Sequence, residues 1–175
     1  RGLGDPLVSL YARTYLVVSG TAVAPQATKH ILGMVTDFLT TFEDLESKHH
    51  IQKLKDRNTS RKEYLFVMAP GVEWLLKSVG KTASKDVFQS ILSLFRQKCN
   101  DAMVLRYIIE AFDASYYAHA SIGMATLIKS VASSCYPTVD LFTSLGKQLL
   151  LVPPPDDQRL ALLNDIWKVV SKSDD

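Results

Sequence analysis

Apolar residues recur at intervals of three and four along nearly the whole chain, the spacing of one helix face, and no stretch keeps the alternation of a strand. The units are short, and their starts are marked by a proline or a capping residue. Asp5 and Pro6 open the first, with Leu7, Leu10, Tyr11, Thr14 and Val18 on one face and Gly20 as its stop. The second starts near Pro25 and carries Ile31, Val35, Phe38, Leu39, Phe42 and Leu45. From Lys48 to Lys62 the pattern fades to Ile51 and Leu54, which reads as a loop or a frayed helix end. Pro70 opens a third unit (Val72, Leu75, Leu76, Val79, stopped at Gly80), and Ser84 caps a fourth (Val87, Phe88, Ile91, Leu92, Phe95), the two predicting a tight antiparallel pair. A fifth is capped by Asn100 or Asp101 and carries Leu105, Ile108, Ile109 and Phe112. A sixth runs from about Tyr117 through Ile122, Ala125, Ile128 and Val131. Pro137 and Thr138 open a seventh (Leu141, Phe142, Leu145, Leu149). An eighth starts at Asp156 after three prolines, with Leu160, Leu163, Trp167 and Val170.

Unit starts taken in alternation, Pro70, Asp101 and Thr138, then Ser84, Tyr117 and Asp156, recur every 31 to 39 residues, close to the period of helical repeats. From Asp5 to Pro70 the interval stretches to 65 residues, and an insertion spanning the basic segment 48–62 accounts for the surplus. The expected fold is all-α, a single solenoid segment over residues 1–175 with about eight antiparallel helices in four pairs. A closed helical bundle is the alternative that this spacing leaves open, since no tetratricopeptide, ankyrin or HEAT string is present.

A chain of 175 residues with 47% hydrophobic and 22% charged residues buries a conventional core and is not a disordered polyanion binder at net charge +2. Cys99 and Cys135 lie far apart with no CxxC around either, which argues against a disulfide framework or structural zinc and for a reducing, cytosolic setting. No apolar run approaches the length of a membrane span, and no signal peptide opens the chain. Arg1 stands where a methionine would begin a complete protein, so the chain reads as a piece of a longer one.

Catalytic and metal-binding patterns are missing. Gly80-Lys81-Thr82 lacks the preceding glycine and strand of a phosphate loop. His49 and His50 diverge by about 100° on a helix, and His30 and His119 are isolated. Glu43, Asp44 and Glu46 read as a solvated helix end. No enzyme, cofactor, metal or small-molecule substrate is called for. The aromatic residues Tyr11, Tyr15, Trp74, Phe112 and Trp167 read as core, and Tyr116, Tyr117 and Tyr136 as partly exposed helix ends.

Within 48–62, Lys48, Lys53, Lys55, Arg57, Arg61 and Lys62 against Asp56 leave a net +5. Without interleaved aromatics this field does not suit nucleic acid, so Lys53, Lys55, Arg57, Arg61 and Lys62 are candidate contacts to an acidic protein or lipid surface. A self-contained helical adaptor using this segment is the alternative functional reading. Asn58-Thr59-Ser60 has the form of a glycosylation sequon, and Arg57 stands three residues before Ser60 as a basophilic kinase prefers.

The stretch Gly4-Asp5-Pro6-Leu7-Val8-Ser9-Leu10-Tyr11-Ala12-Arg13-Thr14-Tyr15-Leu16 resembles a helix of the vacuolar-protein-sorting thirty-five-like proteins, the large α-solenoid subunits of the retriever complex. Further similarities follow in order: Pro70 with Trp74, Ser144-Leu145-Gly146, Pro153-Pro154, Arg159-Leu160, Leu163-Asn164 and Trp167-Lys168-Val169. The first helix is also similar, more distantly, to the retromer large subunit. The segment Lys48 to Lys62 has no counterpart in this resemblance. The resemblance implies a HEAT-like scaffold of an endosomal cargo-recycling coat, cytoplasmic and peripheral on endosomes, with membrane contact only indirect. It implies an arrestin-like and a small phosphatase-fold subunit as partners of the full-length protein. This stretch would be the stem between their docking regions, with Asp5, Tyr11 and Arg13 on the first helix as candidate partner contacts.

Overall fold

A computed structural model describes residues 5–24, 29–45, 47–131 and 137–171, apart from the side chains of Lys29, Glu43, Asp44 and Val170. The expected start at Pro25, and Glu46, Cys135 and Tyr136, lie outside the described residues. Ten helices and no strand are found among the described residues: α1 Pro6–Val23, α2 Lys29–Asp44, α3 Lys48–Asp56, α4 Arg61–Gly80, α5 Lys85–Lys98, α6 Ala102–Ala111, α7 Ala114–Ala118, α8 Ser121–Ser130, α9 Thr138–Leu151 and α10 Asp156–Val170. The protein is all-α. The chain forms two compact units, Arg1–Cys99 and Asn100–Asp175.

In the first unit α1 packs on α4 and α2, and α2 on α5. α4 and α5, expected as a tight antiparallel pair, instead pack chiefly on α1 and α2. Ile31, Val35, Phe38, Leu39, Phe42 and Leu45 of α2 and Phe88, Ile91, Leu92 and Phe95 of α5 are all buried, as their spacing predicts. Asp5 caps α1, its Oδ1 accepting from the N–H groups of Leu7 (2.9 Å) and Val8 (3.3 Å), with Pro6 in the first turn. α1 does not stop at Gly20 but runs to Val23; a β-carbon on Gly20 would lie 3.1 Å from His30 Nε2, so this glycine makes room for α2.

The segment expected as a loop is helix α3. Ser47 caps it, accepting from His50 N at 3.2 Å, and it buries His50 and Leu54, one turn apart. It ends in a Schellman arrangement: Asn58 takes a left-handed φ of 50°, its N–H reaches Lys55 O at 2.9 Å, and Thr59 N–H reaches Leu54 O at 3.0 Å. Ser60 then starts α4 with a capping box, in which Ser60 N–H donates to Glu63 Oε2 at 2.7 Å and Glu63 N–H to Ser60 Oγ at 3.2 Å. Hydrogen bonds from Ser60 hold the Glu63 carboxyl below its ordinary range. α4 therefore begins at Arg61, not Pro70, which sits inside it. A proline there costs about 3 kcal/mol, less than the burial of Tyr64, Leu65, Met68, Val72 and Leu75 returns at about 1.5–3 kcal/mol each.

In the second unit α9 is the common partner of α6, α7, α8 and α10, and α8 also packs on α10. Asp101 caps α6, accepting from Met103 N–H at 2.8 Å, while Asn100 before it takes a left-handed φ of 43°. The expected sixth unit is broken into α7 and α8 at His119–Ala120. Tyr117, expected at a partly exposed end, is fully buried and donates its hydroxyl to Ile108 O at 2.7 Å. A part-buried polar contact ties α9 to α6, Ser144 Oγ donating to Glu110 Oε1 at 2.8 Å, and Arg159 Nε donates locally to Pro154 O at 2.9 Å at the start of α10.

The largest departures concern apolar residues assigned to the core. Phe112 is buried, but Tyr15 is 65% exposed, Trp74 44% and Trp167 71%, with Leu160 and Leu163 similarly open. α1, α4 and α10 each carry apolar residues on two sides, and the spacing alone does not tell which side faces inward.

Candidate protein-binding site

Successive helical residues turn by 100°, so Leu10, Thr14 and Val17 share the inner side of α1 while Val8, Tyr11 and Tyr15 share the outer side. On α4 the inner side is Leu65, Met68, Val72, Leu75 and Leu76, and the outer side is Val67, Pro70 and Trp74. The two outer stripes meet at Tyr11. Its hydroxyl donates to Val67 O at 3.4 Å, and its Cε2 would lie 3.2 Å from a β-carbon on Gly71. Thr14 Oγ1 donates inward to Leu10 O at 2.9 Å and reaches Gly71 O at 3.4 Å, so α1 and α4 are held at close approach by small and hydroxyl residues. The result is an exposed apolar surface of Val8, Tyr11, Tyr15, Val67 and Trp74, with Leu16 and Phe66 exposed on its flanks. Apolar exposure gathered on two packed helices is of the kind that marks protein interaction sites.

Of the three candidate partner residues on α1, only Tyr11 lies on this surface. Asp5 is the N-cap and pairs with Arg57 at 3.5 Å. Arg57 is largely and Asp5 partly exposed, so this pair contributes about 1 kcal/mol at most. Arg13 sits about 160° round the helix from Tyr15 and donates back to Ser9 Oγ. The three do not converge. Val8, Tyr15, Leu16, Phe66, Val67 and Trp74 were not singled out by the sequence as a surface; the available signal was a second apolar seam on α1, Val8 to Tyr15, seven residues apart.

The five basic candidates lie where α3 gives way to α4. Lys53 and Lys55 are exposed in the last turn of α3, where they complement its dipole. Arg57 is exposed at the cap, Arg61 is half-buried in the first turn of α4, and Lys62 is exposed. Beneath them His50 packs its ring on Tyr64, centroids 5.0 Å apart, and Tyr64 Oη accepts from Leu7 N–H at 3.2 Å. Burial pushes the His50 pKa down, against the pull of Asp5 and with the help of Lys53, Arg57 and His49. Burial likewise pushes the Tyr64 phenol up.

A separate open groove between α2 and α5 is lined by Leu32, Thr36, Asp86, Ser90, Ser93 and Gln97. Ser90 Oγ donates to the Asp86 carbonyl at 2.9 Å, a bond within the helix. No helix of the described residues is long and apolar enough to cross a membrane.

Comparison with known proteins places the chain. Residues 1–67 match the family model described as VPS35L, and residues 83–175 match the model of the VPS35L C-terminal domain. The first match runs through the basic segment 48–62, which the resemblance read from the sequence had left without a counterpart. The chain is 34% identical over 172 residues to the VPS35 endosomal protein-sorting factor-like protein of Rattus norvegicus, covering 98% of this chain and 18% of that protein. Against the Homo sapiens protein of the same name the identity is 33%, again over 98% of this chain and 18% of the relative. Against the Dictyostelium discoideum protein named VPS35 endosomal protein sorting factor-like it is 31%, over 98% and 17%. The chain thus spans less than a fifth of the length of these relatives. With more than half of its residues matched by the C-terminal domain model alone, the chain belongs to the VPS35L family.

Proposed function

We propose that this chain is a scaffold segment of an endosomal cargo-recycling coat of the retriever kind, acting by protein–protein binding and not by catalysis. Its place would be the cytoplasmic face of endosomes, with membrane contact through the assembly. Family membership supports the sorting role, since the relatives carry the name endosomal protein-sorting factor-like. The observation that carries the binding reading is the outer surface of α1 and α4, where Val8, Tyr11, Tyr15, Val67 and Trp74 stay exposed although each is apolar or aromatic.

In this reading the arrestin-like subunit seats on that surface. The aromatic rings supply anchors of the type that dominate interface energetics, and Asp5 sets the start of the helix that presents them. Lys53, Lys55, Arg57, Arg61 and Lys62 form a positive border that steers an acidic partner surface. The small phosphatase-fold subunit belongs to another part of the full-length protein. Co-purification with the arrestin-like subunit tests the assignment. A Val8→Ser, Tyr15→Ser double variant with unchanged circular dichroism should lose the partner, whereas an Asp5→Asn variant should keep it. Retention by the double variant would show that α1 does not form the seat.

A further inference from the structure

Ser60 closes the connector Arg57-Asn58-Thr59-Ser60 between α3 and α4. It is the one serine or threonine of the sequence with an arginine three residues before it. Lys55 stands five before it, and Arg61 and Lys62 follow directly. Kinases choose substrates by such charge patterns, and a cation-reading cleft matches this one. Glu63, three residues after Ser60, suits an acid-reading kinase instead, but Arg57, Arg61 and Lys62 outnumber it. The fold leaves the motif accessible. Arg57, Asn58 and Ser60 are exposed, and Ser60 has an extended backbone with φ −74° and ψ 154°. Its hydroxyl donates to Glu63 Oε2 at 2.7 Å and accepts from Glu63 N–H at 3.2 Å, both in solvent-exposed bonds. The first buried residue of α4 is Tyr64, so the opening turn can yield to a kinase without uncovering the core.

We propose that Ser60 is a phosphorylation site for a basophilic serine kinase, and that its phosphate cancels part of the positive border where α3 gives way to α4. The γ-phosphoryl group of ATP passes to Ser60 Oγ: the bond from Pγ to the ADP oxygen breaks, the Oγ–P bond forms, and the serine proton leaves to the kinase's base. The folded chain accommodates the product. Ser60 is the N-cap of α4, so the phosphate lies at a helix N-terminus, where free N–H groups and the dipole favour an anion. Arg57, Arg61 and Lys62, all within three residues, supply charge-assisted partners, whereas the Glu63 carboxylate, 2.7 Å from Oγ, is repelled and gives up its half of the capping box. Arg57 is drawn from Asp5, 3.5 Å away, toward the phosphate. The phosphate adds about −1.5 to −2 at neutral pH, which takes segment 48–62 from +5 to about +3. An effect on partner binding rests on the assignment of the seat to α1 and α4 with these cations as its border.

Mg-ATP and the catalytic domain of protein kinase C, a basophilic kinase, test the site on wild-type protein and on Ser60→Ala and Arg57→Gln variants, with the phosphate located by tandem mass spectrometry. Ser60 should reach at least half occupancy in wild type, Ser60→Ala should stay unmodified at Thr59, and Arg57→Gln should slow the modification of Ser60 at least tenfold. Absence of phosphate at Ser60 in the folded wild type overturns the proposal, whether or not the peptide 53–66 is modified, and so does an unchanged rate in Arg57→Gln. The phosphorylated protein should then associate with the arrestin-like subunit at least threefold more slowly than the unmodified protein, and equal rates would overturn the loss of the border's effect. If the unmodified protein does not bind that subunit, the seat on α1 and α4 has failed, and the labelling alone decides Ser60.

Discussion

Leu10 and Gly71 meet where α1 packs on α4: a β-carbon on Gly71 would lie 3.0 Å from Leu10 Cδ2 and 3.2 Å from its Cγ. Leu10 is buried and has no room to give, although the partly exposed Tyr11 ring on the other side can yield. Gly123 on α8, by contrast, has open space around the same position. Helix propensity favours alanine over glycine by about 1 kcal/mol at both sites. Gly123→Ala should therefore stabilise by up to about 1 kcal/mol. Gly71→Ala should destabilise by about 1–2 kcal/mol, because overpacking outweighs propensity. Urea denaturation of the two variants checks the opposite signs.

Tyr117 is the largest fully buried side chain, and its hydroxyl donates to the Ile108 carbonyl in the last turns of α6. Tyr117→Phe keeps the ring and leaves a buried acceptor without this donor, at an expected cost of about 1–3 kcal/mol in denaturation midpoint analysis. Burial also raises the phenol's pKa. The stability this contributes is present below the ordinary value near 10 and is lost as pH rises above it. Alkaline titration should show one tyrosine ionising only as the fold is lost.

His50 works in the opposite direction. Its pKa is lowered in the fold, chiefly by burial, so the unfolded chain binds the proton more readily. Stability should be full above about pH 6.5 and decline as pH falls from there toward the depressed folded value. His50→Phe should flatten this slope in denaturation series between pH 7.5 and 5.5. An unchanged slope would assign the acid sensitivity to another group.

Asp5 combines a cap with a surface ion pair. Asp5→Ala should cost about 1 kcal/mol through loss of the cap, whereas Asp5→Asn keeps an acceptor for Leu7 and Val8 and should cost only a few tenths. Adding salt should narrow the small difference between wild type and Asp5→Asn, since the Arg57 pair is exposed.

Legibility of the fold followed the number of apolar sides on each helix. α2, α5, α6 and α9 carry one, and the residues assigned to it are buried from Ile31 through Leu149, save the half-buried Val87. α1 and α10 carry two, so Tyr11 and Trp167 were placed inward although they lie outward, and the same ambiguity hid Trp74 on α4. α4 also starts nine residues before Pro70, because the Ser60–Glu63 capping box outweighs the proline signal. The basic segment lacked a visible apolar period because α3, a helix of nine residues, buries only His50 and Leu54. The candidate site was half legible: the sequence pointed to α1, but the exposed seam of Val8 and Tyr15 emerges only once Leu10 and Val17 are seen to face inward.

The measurement that bears most directly on the binding surface is the affinity of the purified arrestin-like subunit for wild type, Tyr15→Ala and Trp167→Ala chains by isothermal titration calorimetry. Tyr15→Ala should weaken binding by about 2 kcal/mol, roughly 30-fold, as removal of an interface anchor does, while Trp167→Ala on the other unit leaves it unchanged. Wild-type affinity in Tyr15→Ala, or an equal loss in Trp167→Ala, would contradict the assignment of the partner seat to α1 and α4.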